Sequence, residues 1–331
     1  QDPEVDFEFY AKYGWKIYQI ERSMRYRVVK YCIEMRRILV SDNYNIIHAF
    51  NEVRSPIYFI AGMLSGVKVR IFHPRTTRLD GGAFAQRIGR LFVKLSAHLA
   101  TNRCVCSKNV GAFMFGKKSY TVINDVIDTD KYPYSNAMRN AIRNKMSIQP
   151  GKIVIGNVGR FCEAKNHGFI LRVFAAVVEK GIDAELLLIG NGPLLEAIKR
   201  TAKELGISNR VQFLGRRTDT GDLYQAMDLL LFPSIYEGYP NVVIEAQASG
   251  LPCLISDSIT SDVILTDLVK ALPLSVSVDE WAMYIIKATQ PHNRYCRKDQ
   301  IIAEGHDAKT EIKKLLELYN KYVSEAYGSN T

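Results

Sequence analysis

An α/β fold in two halves, each built on a parallel sheet, follows from three observations. Short apolar runs alternate with stretches of helical period, the alternation is interrupted once in a polar segment, and 331 residues is long for a single core. In the first half, strands are predicted at Asn45–Ala49, Val69–Phe72, Arg103–Ser107 and Tyr120–Ile123, with helices at Arg22–Leu39, Pro56–Leu64 and Phe84–Leu99. The stretch Asp128–Lys152, with Pro133 and Pro150, is the candidate linker and holds a short helix, Asn136–Lys145. The rhythm restarts with strand Ile153–Val158, helix Asn166–Lys180, strand Ala184–Ile189, helix Pro193–Leu205 and strand Val211–Leu214. It continues through strand Leu229–Phe232, helix Val242–Ser249 and strand Pro252–Ser256, and a last helix spans Ala308–Tyr327. The domain limits are taken as 1–135, a linker 136–151, 152–305, and a C-terminal helix 306–331 expected to pack back on the N-terminal domain.

Composition narrows the function classes. The 47% hydrophobic and 24% charged fractions are those of a soluble globular chain. No apolar run approaches the ~20 residues of a membrane span, and the acidic start QDPEVDFEFY is unlike a secretory signal. Six cysteines without a C-x-x-C pair read as reduced thiols of a cytoplasmic protein. The net charge of +10 is uneven: residues 1–131 hold 21 Lys and Arg against 12 Asp and Glu, and the remainder is nearly balanced at 23 against 22. No nucleic-acid-binding motif accompanies that basicity, and no nucleic-acid partner is expected.

The segment FPSIYEGYPNVVIEAQASGLPCLISDS, Phe232–Ser258, carries the chemistry. Glu237 falls in a loop after an apolar strand, and Glu245 in the first turns of the helix that Pro240 and Asn241 open. A helix start offers free N–H groups and the positive end of its dipole, so Gly238, Tyr239, Pro240, Asn241 and Val242 form a seat for a phosphate. The two carboxylates suit hydroxyls of a sugar or ribose. The same arrangement also occurs as plain α/β architecture, with a glutamate favoured early in a helix by the macrodipole.

Upstream, strand Ile153–Val158 ends in Gly159-Arg160, and Lys165 follows in a loop that leads into a helix. Cations at a strand's C-terminal edge are where an α/β sheet binds anions, and a diphosphate needs such neutralisation. Gly190 opens a second tight turn, Gly190-Asn-Gly-Pro193, at the same edge. Two solvated surface cations are the plain alternative.

Together VGRFCEAKNH, LLLIGNGPL and VQFLGRRTDTGDLYQAMDLLLFPSIYEGYPNVVIEAQASGLPCLISDSIT resemble, in order over Ile153–Leu272, the donor domain of the family 4 (group 1) glycosyltransferases, in particular bacterial enzymes of capsular and exopolysaccharide assembly. YNIIHAF, VKVRIFHPRTT and YTVINDVIDTDKY extend the similarity weakly through the first half. The resemblance implies a GT-B fold, α/β, with two Rossmann-like domains facing across a cleft. It assigns Arg160 and Lys165 to the donor diphosphate, where they stabilise the leaving nucleotide without a metal or other cofactor. It gives Glu237 the hydroxyls of the transferred sugar, the amides from Gly238 to Val242 the sugar and distal phosphate, Glu245 the ribose, and Gly215–Arg217, with Arg216, the base. Retention of anomeric configuration is the family's outcome.

His73, at the end of strand Val69–Phe72, matches a histidine that relatives place against the donor. Relatives commonly read A-H-S-H-N where this chain reads Phe72-His-Pro-Arg-Thr76, so Arg75 replaces a second histidine and is a candidate for an acceptor phosphate. Relatives also begin with a strand and a glycine-rich loop, absent here before Asn45–Ala49. The sequence is therefore expected to start about forty residues into the usual N-terminal domain, one strand-loop-helix unit short. A sequence lacking its real N-terminus is favoured over true truncation, because a sheet without an inner strand exposes unpaired edges.

Asp128-Thr-Asp130 has the D-x-D pattern of a metal site, but its place at the linker predicts turn or cap hydrogen bonds instead. In helix Phe84–Leu99, Phe84, Ile88, Leu91, Phe92, Leu95 and Leu99 form an apolar face and Arg87, Arg90 and Lys94 a basic one. Packing of the apolar face on its own sheet is the default. Peripheral contact of the basic N-terminal domain with the inner membrane face is the functional alternative.

The expected activity is therefore a retaining, metal-independent glycosyltransferase, with a UDP-linked donor and a lipid-linked or growing surface glycan as acceptor. A nucleotide-sugar 2-epimerase of the same architecture, or a non-catalytic donor-binding partner of another transferase, stays open beside it.

Overall fold

The computed structural model describes residues 12, 14–18, 28–76, 82–290 and 293–328. Helix α1 (Val28–Ser41) is the described part of the predicted Arg22–Leu39 helix, whose residues 22–27 lie outside that set. Next come β1 (Ile46–Ala49), α2 (Ser55–Leu64), β2 (Val69–Phe72), α3 (Ala83–Leu99), β3 (Asn102–Val105), α4 (Lys108–Phe115) and β4 (Thr121–Val122). The four strands pair in the order β1-β2-β3-β4, all parallel. Helix α4 was not foreseen, although Ser107 signals it: its hydroxyl caps the helix by accepting from the Val110 N–H at 3.3 Å.

The packing of α3 reverses the default reading of its faces. Its buried side is Gly89, Val93, Ser96 and Ala97, whereas Phe84 is 78% and Leu91 63% exposed, with Ile88 and Leu95 also exposed. Small residues let the helix backbone approach its support, and the stripe of large apolar residues is left outward.

Helix α5 (Asn136–Lys145) precedes β5 (Ile153–Val158), followed by α6 (His167–Glu179), β6 (Ala184–Ile189), α7 (Leu195–Glu204), β7 (Val211–Gly215), α8 (Thr220–Ala226) and β8 (Leu229–Phe232). The chain continues with α9 (Asn241–Ala248), β9 (Cys253–Ser256), β10 (Val269–Leu272), α10 (Val278–Ala288), α11 (Lys298–Ala303) and α12 (Ala308–Tyr327). Strands β5 to β10 form a parallel sheet in the order β10-β9-β8-β5-β6-β7. Short, mostly apolar runs such as Ala184–Ile189, buried throughout, are what a sheet covered on both faces requires. One face packs Trp281, Phe169 and Phe174, and the other Tyr224, Phe232, Ile244 and Ile301.

By density of contacts the chain divides into two units. Of the described residues, one holds those up to Phe72, 83–103 and 322–328; the other holds 73–76, 82 and those from 104 to 321, so the boundary falls within β3. In the first unit the Tyr327 hydroxyl accepts from the Lys68 N–H at 2.9 Å. In the second, the segment read as a linker is bound in place: Arg139 and Arg143 of α5 both pair with Asp228, at 2.5 and 2.6 Å.

Asp128-Thr-Asp130 makes the turn hydrogen bond of that expectation, the Lys131 N–H donating to the Asp128 carbonyl at 3.0 Å, but not the side-chain cap. Asp128 pairs with Lys131 at 3.6 Å and makes no side-chain cap, and Asp130 pairs with Lys298 and Lys309. Helices α11 and α12 bring those lysines in, and their hydrogen bonds hold the Asp130 carboxyl well below the usual carboxylate range.

Candidate functional site

Taken from one edge, the six-stranded order counts 3-2-1-4-5-6 with β5 as the first strand, so the connections reverse direction between β5 and β8. Ligands of open parallel sheets bind in the crevice outside the carboxyl ends of the strands at such a reversal. Gly159 and Arg160 follow β5 and the Glu237 loop follows β8, so the topology alone brings both loops to that crevice.

The two loops are joined there. The Ile235 N–H donates to the Ala164 carbonyl at 2.8 Å, and Asn166 Nδ2 to the Pro233 carbonyl at 3.2 Å. Lys165 Nζ lies 2.7 Å from Glu237 Oε1 and 4.5 Å from the centre of the Phe232 ring, with both charged side chains about five-sixths covered. Gly159 lies against the Lys165 stem, where an added Cβ would sit 3.2 Å from its Cδ. Arg160 is exposed and makes no ion pair among the described residues. Gly190, at φ +141°, backs onto the Gly159 carbonyl so closely that a side chain would overlap it. Its N–H donates to the Gly215 carbonyl at 2.8 Å, drawing the base of the Arg216 loop to the same edge.

His167, at the start of α6, is buried and stacked on Phe161 at 4.2 Å, and neither ring nitrogen has a hydrogen-bond partner among the described residues. Burial, with Lys165 nearby, pushes its pKa down to about 4, so the ring is neutral near pH 7.

Helix α9 begins at Asn241, with Pro240 as its extended N-cap rather than its first residue. Val242 lies in its first turn, and the buried Asn241 Oδ1 has no hydrogen-bond partner among the described residues. Glu245 is not brought to Glu237 by any described contact. Its Oε2 accepts from the Tyr224 hydroxyl at 2.7 Å, with Tyr132 close by. Burial raises the Glu245 pKa while the two tyrosines oppose the shift. Both tyrosines escaped sequence reasoning. Tyr224 lies on α8, a helix not foreseen from the sequence, and no local pattern ties it to a carboxylate 21 residues on.

His73 is buried at the end of β2. Arg75, two residues on, pairs with Asp125, whose carboxyl pKa burial raises and Arg75 pulls back. Its carbonyl backs onto Gly238, where any side chain would overlap it. The structure thus gathers Gly159, Lys165, Gly190 and Glu237 at one crevice, and sets the Arg75 loop against the Gly238 loop.

The model for glycosyl transferases group 1 matches residues 138–299. EpsF of Bacillus subtilis (strain 168), named as a glycosyltransferase, is 33% identical over 288 residues, which is 84% of this chain and 75% of that protein. A UDP-Gal:α-D-GlcNAc-diphosphoundecaprenol α-1,3-galactosyltransferase of Escherichia coli is 22% identical over 312 residues, 88% of this chain and 79% of the relative. Among solved structures, Anabaena HepE in complex with UDP-glucose superposes with a TM-score of 0.74 at 19% identity, covering 92% of this chain and 85% of that one. The chain therefore belongs to the group 1, or family 4, glycosyltransferases, with the GT-B fold and a nucleotide-sugar as its donor.

Proposed function

We propose that the protein is a retaining, metal-independent glycosyltransferase that moves a sugar from a UDP-linked donor to a lipid-linked or growing surface polysaccharide of a bacterium. The carrying observation is the Lys165–Glu237 pair in the crevice where the strand order reverses. Lys165 and the unpaired Arg160 neutralise the donor diphosphate and stabilise the nucleotide as it leaves, so side chains supply the charge that a metal would otherwise bring. Glu237 takes the sugar hydroxyls, the start of α9 seats the distal phosphate, Glu245 takes the ribose, and the Gly215–Arg217 loop lies along the base. His73 meets the donor and Arg75 an acceptor phosphate. Two relatives support the choice of ligands: HepE is solved with UDP-glucose, and the E. coli relative is named for a diphosphoundecaprenol acceptor.

A thermal-shift screen of UDP-, GDP- and ADP-sugars tests the donor. A UDP-sugar at about 100 times its Kd is expected to add about 2.7 kcal/mol of stability, and GDP- and ADP-sugars far less. With that donor and a lipid-diphosphate glycan, the wild-type protein is expected to form product of unchanged anomeric configuration, and Glu237→Ala very little. Tight UDP binding without turnover would instead mark a partner of another transferase, and conversion of donor without acceptor a 2-epimerase.

The acceptor places the enzyme at the cytoplasmic face of the cell membrane, and the exposed stripe of α3 supports contact there. Phe84, Ile88, Leu91 and Leu95 recur on one side of the helix, with Arg87, Arg90 and Lys94 beside them. Apolar side chains flanked by cations suit an anionic interface, where each cation adds about 1 kcal/mol. Among the described residues no helix is long and apolar enough to cross a membrane. The protein is expected to co-sediment with phosphatidylglycerol vesicles at low salt and Leu91→Glu to stay in solution, whereas equal sedimentation of the two would remove α3 from the contact.

A further inference from the structure

Tyr239, two residues beyond Glu237, stacks on His306, their ring centres 5.5 Å apart and their planes 14° from parallel. His306 Nε2 lies 3.1 Å from the Tyr239 hydroxyl, which also reaches the Asp262 carbonyl at 3.0 Å. His306 Nδ1 lies 2.8 Å from the main-chain carbonyl of Asp125. A carbonyl only accepts, so Nδ1 carries a proton and donates it there. The Asp125 carboxylate pairs with Arg75, and the Arg75 carbonyl rests on Gly238, the residue between Glu237 and Tyr239.

These contacts close a ring: from the Glu237 loop through Tyr239 to His306, on to Asp125, to Arg75, and back to the loop at Gly238. The histidine is buried, and its own segment is anchored independently. The Ile127 N–H donates to the His306 carbonyl at 3.0 Å, and Asn124 Nδ2 to the Gly305 carbonyl at 3.2 Å. A flat ring with a nitrogen toward each partner and a face for stacking joins three chain segments, which no aliphatic or single-headed side chain does.

We propose that His306 is a positioning residue for sugar transfer, holding the Glu237–Tyr239 loop in register with the Arg75 loop so that Glu237 keeps its pose beside Lys165. The proposal rests on the reading of Glu237 as the sugar-binding carboxylate. A loop fixed at only one end lets its side chains wander, and a misplacement of about 1 Å at a reacting centre costs up to about 10²-fold in rate.

The test compares His306→Phe, which keeps the stack and removes both nitrogens, with Tyr239→Phe, which removes only the hydroxyl, and with the double variant. UDP is one probe. The other is whichever of UDP-glucose, UDP-galactose and UDP-N-acetylglucosamine raises the unfolding midpoint of the wild-type protein most. Calorimetry gives both dissociation constants, and donor consumption gives kcat. Each single variant is expected to bind UDP within about twofold of wild type, to lose about tenfold of the extra affinity the sugar confers, and to lose about 10- to 100-fold in kcat. The double variant is expected to lose no more than either single one, because both break one connection. His306→Gln, which keeps a polar group able to reach Tyr239, is expected to recover part of the loss.

An unchanged sugar increment and kcat would overturn the proposal, as would additive losses. So would UDP affinity and midpoint falling together in both single variants, since that marks a merely structural role. Glu237→Ala separates the levels. If it leaves the sugar increment intact, the sugar-site reading fails and the proposal with it; if it abolishes the increment while both ring variants retain it, positioning by His306 alone fails.

Discussion

Replacing Lys165 by alanine is expected to lower kcat for donor consumption by about 10²- to 10³-fold, the loss that follows removal of one preorganised donor aimed at developing charge. Two consequences combine. The leaving diphosphate loses a cation held in place by the Phe232 ring, and Glu237 loses its ion-pair partner at 2.7 Å while staying largely covered. Glu237→Ala should therefore add little when combined with Lys165→Ala, because the two side chains act as a unit. Lys165→Arg should restore charge but not rate, since a planar, forked guanidinium does not reproduce the compact ammonium that Glu237 and the Phe232 ring hold. Arg160→Ala should lower kcat less than Lys165→Ala does and raise KM as well, because an exposed arginine must be recruited to the ligand. Steady-state kinetics of the four variants decide the matter. A Lys165→Ala enzyme with wild-type kcat and a raised KM would mean that the lysine binds donor and transition state equally.

The crevice was legible in the sequence because its parts sit where topology alone brings them together. Lys165 and Glu237 lie in loops after apolar strands, and buried parallel strands such as β5, β6 and β8 announce themselves by short, mostly apolar runs rich in Val, Ile and Leu. What supports those residues was not legible. Tyr224, Tyr132 and His306 reach their partners through tertiary contact across long stretches of chain, and nothing local distinguishes them from other aromatic residues. Helix α10 had a readable signal in Ser277-Val-Asp-Glu280, whose serine hydroxyl accepts from the Glu280 N–H at 3.2 Å. Edge strand β10 had none, because alternation is weak in four residues, one of them the exposed Lys270. Helix α3 misled for a different reason: the large apolar stripe is the conspicuous pattern, while packing selected the small residues Gly89, Ser96 and Ala97.

Asp228 is the residue on which the second unit's apparent linker depends, and Asp228→Ala is expected to cost about 3 kcal/mol, the lower end for breaking a buried ion pair. Its carboxylate takes Arg139 on one oxygen and Arg143 and the Val154 N–H, at 2.7 Å, on the other. The arginines are four residues apart on α5, one helical turn, so both guanidiniums reach the same carboxylate. Each also donates to main-chain carbonyls, Arg139 to Gln225, Ala226 and Met227 and Arg143 to Ala226 and Lys152. Burial lowers the Arg143 pKa and Asp228 raises it back, the signature of a cation that depends on its partner. Alanine at 228 leaves two mostly covered cations facing each other and an unpaired N–H at the edge of β5. The lower figure applies because the three side chains retain between 11% and 20% exposure, which lets water screen part of the loss. For a unit of about 200 residues, 3 kcal/mol corresponds to a fall of roughly 6–12 °C in Tm. Arg139→Ala alone should cost less, because Asp228 then keeps Arg143. Calorimetry on the three proteins checks the order, and an Asp228→Ala midpoint within about 2 °C of wild type would show the cluster to be a solvent-screened surface contact.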